Sequence, residues 1–490
     1  MEQKFIYARH GYISIPDYTL GESKLLENIL SEYDEVYHRR IYHGLSYDEI
    51  TRELRVPLGV GVNMVSRMTG RYAKSDYNAD EPRPVKITLN VKPRNDMQEN
   101  IIHYIVERNK KYSQAAIVAG TGIGKTYCAI AISVCYSNTT LIVSHSSKLR
   151  SHWSKKIQGY TDTIEDDILI LDSSAKILKL LGSDKPISYR YISTTHAILA
   201  SLAKHHGWYI IEEVCMRLGI GCIIIDEVHR CFANTVKILT HTNVKKYLLL
   251  TATFKRSERV QNRIFQTCFS SIPKYVQENV TGEKKQKHII GTIIEYNSHP
   301  SLEAQLNCES NYKGGLNGIQ YVNYLVDEDD YFYTVFSKFL DKCIEGTRPF
   351  KGKGMIMCGS IHACEQISEF LYNSLGSKLG IGVYNSKSGL SQKEKDKLLE
   401  ISDIIVTTSG SLGEGTDMDN LHYVIDIESY RSEILSEQIP GRLRDLQDGH
   451  KFNYIKISNI GFVKAYDQLQ DCIKMYSKNM EMVRIIKWKP

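Results

Sequence analysis

The chain has 490 residues, 42% of them hydrophobic and 24% charged, which fits a soluble intracellular protein of several domains with a large core to bury. No apolar run approaches the roughly 18 residues of a membrane span, and the N-terminus carries neither a signal peptide nor a transit peptide. The formal net charge of +6 only weakly favours a polyanionic partner, and the 11 cysteines, scattered singly without a C-x-x-C pair, exclude a zinc finger and read as reduced thiols.

Residues 1–88 read as a small accessory domain. They are rich in Tyr, and the pair Ser46 and Glu49 forms a capping box that predicts a short helix. That helix should end near Arg55, because Pro57 disfavours helical geometry in the residue before it. A rival pattern in the same stretch sets Ile50, Leu54, Val62 and Val65 in a helix–turn–helix-like rhythm. His38 and His43 have no acid or thiol at ligand spacing and do not point to a metal.

Over 89–275, short apolar runs recur at 115–119, 140–144, 222–227 and 247–253, separated by stretches with helical spacing. Runs of this length without alternation predict strands buried on both faces, hence an α/β domain with a parallel sheet. Residues 276–325, with the charged run GEKKQK and the Gly-rich NYKGGLNG, read as a linker and surface excursion. The same alternation returns over 326–472, with strand-like runs at 354–359, 403–408 and 423–428, and predicts a second α/β domain. Cys358 and Cys364 read as core thiols within it. The segment 473–490 is basic, with Tyr476 and Trp488 interleaved among its cations. It could follow a phosphate backbone, or be a solvated tail that packs one aromatic onto the domain before it.

Ala119-Gly-Thr-Gly-Ile-Gly-Lys-Thr126 follows a predicted buried strand and opens a helical pattern. Its glycines let backbone N–H groups close around phosphates at a helix N-terminus. Gly120, Thr121, Gly122, Ile123 and Gly124 form this cradle, Lys125 should reach the β- and γ-phosphates, and Thr126 should hold Mg²⁺. About a hundred residues on, the run Ile223-Ile-Ile-Asp226-Glu227-Val-His229 sets two acids at the carboxyl edge of a sheet, where open α/β folds bind ligands. Asp226 is the expected Mg²⁺ ligand and Glu227 the group that orients or deprotonates the attacking water. Together the two motifs point to ATP hydrolysis.

At this point the chain resembles the superfamily 2 DExH-box helicases and translocases. Asp226–His229 is similar to their motif II, and further motifs follow in order over about 90–470. Leu141–His145 through Trp153 resembles motif Ia, Thr194-Thr195 a strand-contacting motif and Thr251-Ala-Thr253 motif III. Met355–Ser360 looks like motif IV, Thr407-Thr408-Ser409 with Gly413–Asp417 like motif V, and Gln438–Arg444 like motif VI. Within the superfamily the likeness is to the XPB-like group and the phage UvsW-type recombination helicases. Pro93-Arg94 with Gln98 is similar to that group's adenine-reading segment, and Arg55–Gly59 to a segment of the phage relatives' small DNA-contacting domain.

The resemblance implies two tandem RecA-like domains, preceded by a small accessory domain, with ATP and Mg²⁺ in the cleft between the two. It implies nucleotide contacts from Gln98, Gly415 and Asp417, catalytic roles for His229, Gln438, Arg442 and Arg444 beside Lys125, Asp226 and Glu227, and nucleic-acid contacts from His145, Lys148, Thr194, Thr195, Arg256, Ser360, Thr408 and Ser409. In motif VI the family's last arginine stands one residue later than Arg444. One residue on a helix is a rotation of about 100°, so Arg442 is the firmer arginine finger and a slow ATPase is in keeping with the sequence. The implied function is remodelling of branched DNA in replication, recombination or repair, in the cytoplasm (the host's, if phage-encoded). RNA unwinding, or an ATP-gated clamp on nucleic acid, are the alternatives.

Overall fold

The computed structural model describes residues 3–34, 38–48, 51–120, 123–183, 188–252, 254, 259–277, 286–309, 315–390, 392–411, 418, 420–430, 435–436, 439–443 and 450–489. The chain divides into two compact units, Met1–Gln277 and Glu278–Pro490.

The first unit is built on a seven-stranded sheet. From edge to edge its strands are Ile168–Ile170, Tyr191–Thr195, Thr139–Ser144, Ile220–Ile225, Lys246–Thr251, Gln114–Val118 and Lys274–Val276. All neighbours pair in parallel. The four apolar runs of the sequence supply its central strands. Ile223 and Leu249 point to one apolar layer, while Ile224 and Leu248 point to the other, as the two-residue period of a strand requires. Helices Asp96–Asn109, Lys125–Tyr136 and Ser147–Tyr160 cover the second of these faces.

Residues 3–75 do not form the expected helix. Ser46–Asp48 and Glu53–Pro57 are antiparallel strands in the register Ser46↔Arg55, Tyr47↔Leu54 and Asp48↔Glu53. They belong to a five-stranded sheet with Tyr12–Pro16, Phe5–Ala8 and Tyr72–Ser75. The extended form wins because it sends Leu54 and Val56 into the apolar core and turns Arg55 the other way. Arg55 then meets Asp48 at 2.8 Å and Glu53 at 3.0 Å, with its guanidinium 4.9 Å from the Tyr12 ring centroid. A helix does form over Val62–Thr69, but a hairpin precedes it, so the helix–turn–helix alternative also fails. Arg55 is 7% exposed and serves the fold. Glu49 and Ile50 lie outside the described residues.

Nor does this sheet stand apart from the parallel one. Ile6, Ile13, Leu54 and Val65 share one apolar cluster with Ile223, Leu239 and Phe265. Gly11 marks a close approach. A β-carbon there would lie 2.3 Å from the Leu239 carbonyl oxygen and 2.4 Å from that of Thr242, so only glycine lets the two backbones meet. The N-terminal residues are thus a layer of the first unit.

The second unit repeats the parallel design, in the order Ile381–Tyr384, Ile404–Thr407, Lys353–Met357, Leu421–Asp426, Phe452–Asn459, Gln286–Tyr296 and Met480–Lys487. Two expectations are corrected here. The segment read as a linker contains the strand Gln286–Tyr296, which lies between Phe452–Asn459 and Met480–Lys487. Its charged start masks an apolar end, in which Ile289, Ile293 and Ile294 are fully buried. The basic tail is no loose arm: Met480–Lys487 is the edge strand of this sheet, where exposed Lys and Arg are the usual guard against further pairing. Trp488 comes directly after it and packs against Phe339, with the Lys338 ammonium 4.2 Å from its ring centroid.

Cys358 and Cys364 are buried in the core of this unit, as expected. Among the described residues no helix is long and apolar enough to cross a membrane, and no group of three His, Cys, Asp or Glu could hold a metal. His43 is instead 2.6 Å from Glu32.

Candidate active site

Three adjacent strands of the first unit, Gln114–Val118, Lys246–Thr251 and Ile220–Ile225, end at one edge of the sheet and deliver the two predicted motifs there. After the first strand the chain turns through Ala119 and Gly120 and enters the helix Lys125–Tyr136 at Gly124. Gly124 has φ +93°, a conformation that favours glycine, and a β-carbon on it would also lie 2.3 Å from Gln98 Nε2. Gln98 is buried and braces this loop: its Nε2 donates to the Ile123 carbonyl at 2.9 Å and its Oε1 accepts from the Arg94 N–H at 2.8 Å. The Lys125 ammonium donates to the carbonyls of Ala119 (2.8 Å) and Gly120 (3.3 Å). Gln277, which no motif flagged, accepts from the Gly120 N–H at 3.3 Å. Thr121 and Gly122 lie outside the described residues.

The strand Ile220–Ile225 ends on the acids. Asp226 Oδ2 accepts from the indole N–H of Trp153 at 3.0 Å, and Trp153 itself is fully buried. The sequence marks Trp153 as part of motif Ia, but no spacing rule connects it to an acid 73 residues away. Glu227 is 6% exposed and holds a left-handed backbone, φ +49°, which costs a non-glycine residue of order 1–3 kcal/mol. Its Oε2 lies 3.2 Å from His229 Nδ1 and 3.4 Å from the Ala252 N–H. His229 Nδ1 is also 2.8 Å from the Thr251 hydroxyl, so motifs II and III are joined. Burial alone would push the Glu227 carboxyl upward. The His229 hydrogen bond and the charges of Lys125 and Arg230 outweigh it and hold the group well below the usual carboxylate range. Lys125 and His229 thus act on Glu227, with Asp226 beside it in the chain.

The residues expected to touch nucleic acid divide. Thr194 is fully buried and its hydroxyl donates to the Leu171 carbonyl, while Thr195 caps the helix His196–His206. Both hydroxyls are spent on the fold, and the expectation for them is corrected. Ser360 is 7% exposed, caps Ile361–Leu375 and donates to Asn323 Oδ1 at 2.5 Å. His145 is half-buried beside the motif II acids; burial first, then the Arg230 charge, lower its pKa to about 4, so it is neutral near pH 7. Thr408 and Ser409 are half-buried at the carboxyl end of Ile404–Thr407 in the second unit.

Arg442 ends the single 3₁₀ turn Pro440–Arg442, so the α-helical premise for comparing it with Arg444 does not hold. Arg444, Gln438, Gly415, Asp417 and Arg256 lie outside the described residues, as does the Lys148 side chain.

Residues 91–256 match the family described as type III restriction enzyme, res subunit. A curated relative, "Probable helicase D10" of Escherichia phage T5, is 26% identical over 141 residues, which span 29% of this chain and 26% of that protein. The match therefore covers about a quarter of the relative's length. Among solved structures, S. cerevisiae Dbp5 bound to RNA and ADP BeF3 is similar with a TM-score of 0.52 at 13% identity, over 80% of this chain and 89% of that one. Mss116p bound to ssRNA and AMP-PNP is similar with a TM-score of 0.54 at 15% identity, over 84% and 82%. These likenesses establish the fold: two tandem RecA-like domains, with a small N-terminal sheet joined to the first.

Proposed function

We propose that this chain is an ATP-dependent helicase or translocase of superfamily 2 type that acts on nucleic acid. The observation that carries the reading is the meeting of Lys125 with Asp226, Glu227 and His229 at one sheet edge. Lys125 binds the β- and γ-phosphates of ATP from the loop it already closes. Asp226 and Thr126 supply the oxygen donors that Mg²⁺ prefers, and bound Mg²⁺ supplies neutralisation of phosphate charge. Glu227, held ionised, orients a water toward the γ-phosphorus and receives its proton as the bond to ADP breaks. His229 ties Glu227 to Thr251, and so joins the site to the strand that leads into motif III.

Trp153 belongs to this machinery through Asp226. Trp153→Phe keeps most of the buried ring and removes the donor. The Mg²⁺ concentration that half-saturates ATPase should then rise about tenfold, as for other residues that orient a metal ligand. A magnesium titration of the ATPase, with a melting curve as control, checks this. An unchanged titration would remove Trp153 from the site.

DNA, in branched or duplex form, is the favoured substrate, with replication, recombination or repair as its setting in a host-cell cytoplasm. The phage relative and the motif likeness to recombination helicases support it. The burial of Arg55 withdraws one support, because the N-terminal segment matched to a DNA-contacting domain keeps that side chain inside. RNA is the second reading, favoured by the RNA-bound structures that share the fold.

The deciding experiment is steady-state ATPase of the purified protein alone and with single-stranded DNA, duplex, a four-way junction and RNA. Strongest stimulation by junction or duplex is the expected result. Stimulation by RNA alone would replace the DNA reading, and none by any nucleic acid would favour a clamp with little turnover.

A further inference from the structure

At the carboxyl end of Leu421–Asp426 the second unit buries two carboxylates with one ammonium to serve them. Asp426 is fully buried; its Oδ2 accepts from Tyr454 (2.5 Å), Tyr430 (2.7 Å) and Lys456 Nζ (3.0 Å), and its Oδ1 from the Glu428 N–H (2.9 Å). Lys456 is 3% exposed and is spent on Asp426 and on the backbone carbonyl of Glu428. The Glu428 carboxylate is 5% exposed and has no ion pair among the described residues. Its Oε1 accepts instead from the backbone N–H of Ser409 at 2.9 Å. The same side chain abuts the segment before Ser360, where a β-carbon on Gly359 would lie 3.6 Å from Glu428 Cγ. Glu428 therefore touches the stretches that resemble motifs IV and V.

A glutamine would accept the Ser409 N–H without the cost of burying a charge. The fold by itself does not ask for a carboxylate here. Above Glu428 the turn is already shaped, since the Thr408 hydroxyl donates to Ser411 Oγ at 2.8 Å and accepts from the Ser411 N–H at 3.2 Å.

We propose that Glu428 is the positioning residue of the Thr408–Ser411 turn, fixing from below how that turn meets a nucleic-acid phosphate, and that it takes up a proton as the phosphate arrives. This rests on the nucleic-acid reading of the protein. A phosphate near the turn makes the buried carboxylate costlier, while a neutral carboxyl still accepts the Ser409 N–H through its carbonyl oxygen. The groups facing Glu428 set the range in which this happens. Burial first, then Asp426 two residues before it, raise its pKa to about 7, against the Ser409 hydrogen bonds and the Lys456 charge from the neighbouring strand. Cys358, at the end of Lys353–Met357, packs on the same spot beside Cys364 of the helix Ile361–Leu375. Burial raises the Cys358 thiol, and it raises the phenols of Tyr430, Tyr454 and Tyr476 that surround Asp426.

The test is fluorescence anisotropy of labelled oligodeoxythymidine and oligouridine on the full chain, between about pH 6 and 8. Wild-type affinity should fall about tenfold as pH rises across this range, because the proton must be bound from a scarcer supply. Glu428→Gln, which mimics the protonated form, should keep the tight low-pH value throughout. Glu428→Ala should bind about tenfold more weakly than Glu428→Gln at every pH. A pH slope that survives in Glu428→Gln overturns the proposal, and so does a flat wild-type profile or a Glu428→Ala that binds as tightly as Glu428→Gln. If the alanine variant does not fold, the glutamine comparison decides alone. Failure of wild type to bind either oligonucleotide would instead sink the nucleic-acid reading itself.

Discussion

Lys125→Ala should lower ATP turnover by about two to three orders of magnitude, the usual effect of removing one preset charge donor from a reacting phosphate or oxyanion. The fold should survive it. Among the described residues the Lys125 ammonium bonds to the carbonyls of Ala119 and Gly120, contacts each worth about 0.5–1.5 kcal/mol. The substitution also removes one of the charges that keep Glu227 ionised. ATPase assays beside a melting curve separate the two effects. Near-normal turnover in this variant would mean that the phosphates bind elsewhere.

Glu227→Gln should behave differently. Glutamine has the same shape, accepts the same Ala252 N–H, and meets the same backbone cost at φ +49°. What it lacks is the negative charge that draws a proton from water, and loss of a positioned base costs about 10²–10⁴-fold in rate. Nucleotide binding should persist, so a fluorescent ATP analogue should bind with near wild-type affinity while hydrolysis stops. Turnover above about a tenth of wild type would assign the base elsewhere. The sign of the pH dependence is set by the depressed acid constant of Glu227. Its stabilising contribution is present above the unfolded carboxylate range and is lost only as pH falls through the lower, folded value. Mild acid should therefore not switch the site off through Glu227.

Much of this site was legible in the sequence because its chemistry is local. A phosphate loop needs its glycines within a few residues, and a pair of acids after three apolar residues marks a strand end wherever it occurs. The central strands were legible for a related reason: buried on both faces, they are written as unbroken apolar runs. The contacts that were not legible join distant segments. Trp153 meets Asp226, Gln277 meets Gly120, and Glu428 meets Ser409 only once sheets are assembled. The two misread strands, Gln286–Tyr296 and Met480–Lys487, carry exposed charge at Lys287 and at Glu481, Arg484 and Lys487. Composition therefore suggested a linker and a tail where parallel pairing makes sheet. At Ser46 and Glu49 a helix-start pattern lost to the burial of Leu54 and Val56, because several apolar side chains in a shared core outweigh one cap.

The five-stranded sheet bears on how portable this fold is. Residues 91–256, the stretch matched by the family model, do not include the strands that pack with Ile223, Val236 and Leu239. A gene fragment cut to that stretch would encode the candidate active site with its apolar flank bare, a surface that drives aggregation. Any transfer of this domain between proteins, whether by recombination or by design, has to carry the strands of residues 3–75 as cargo.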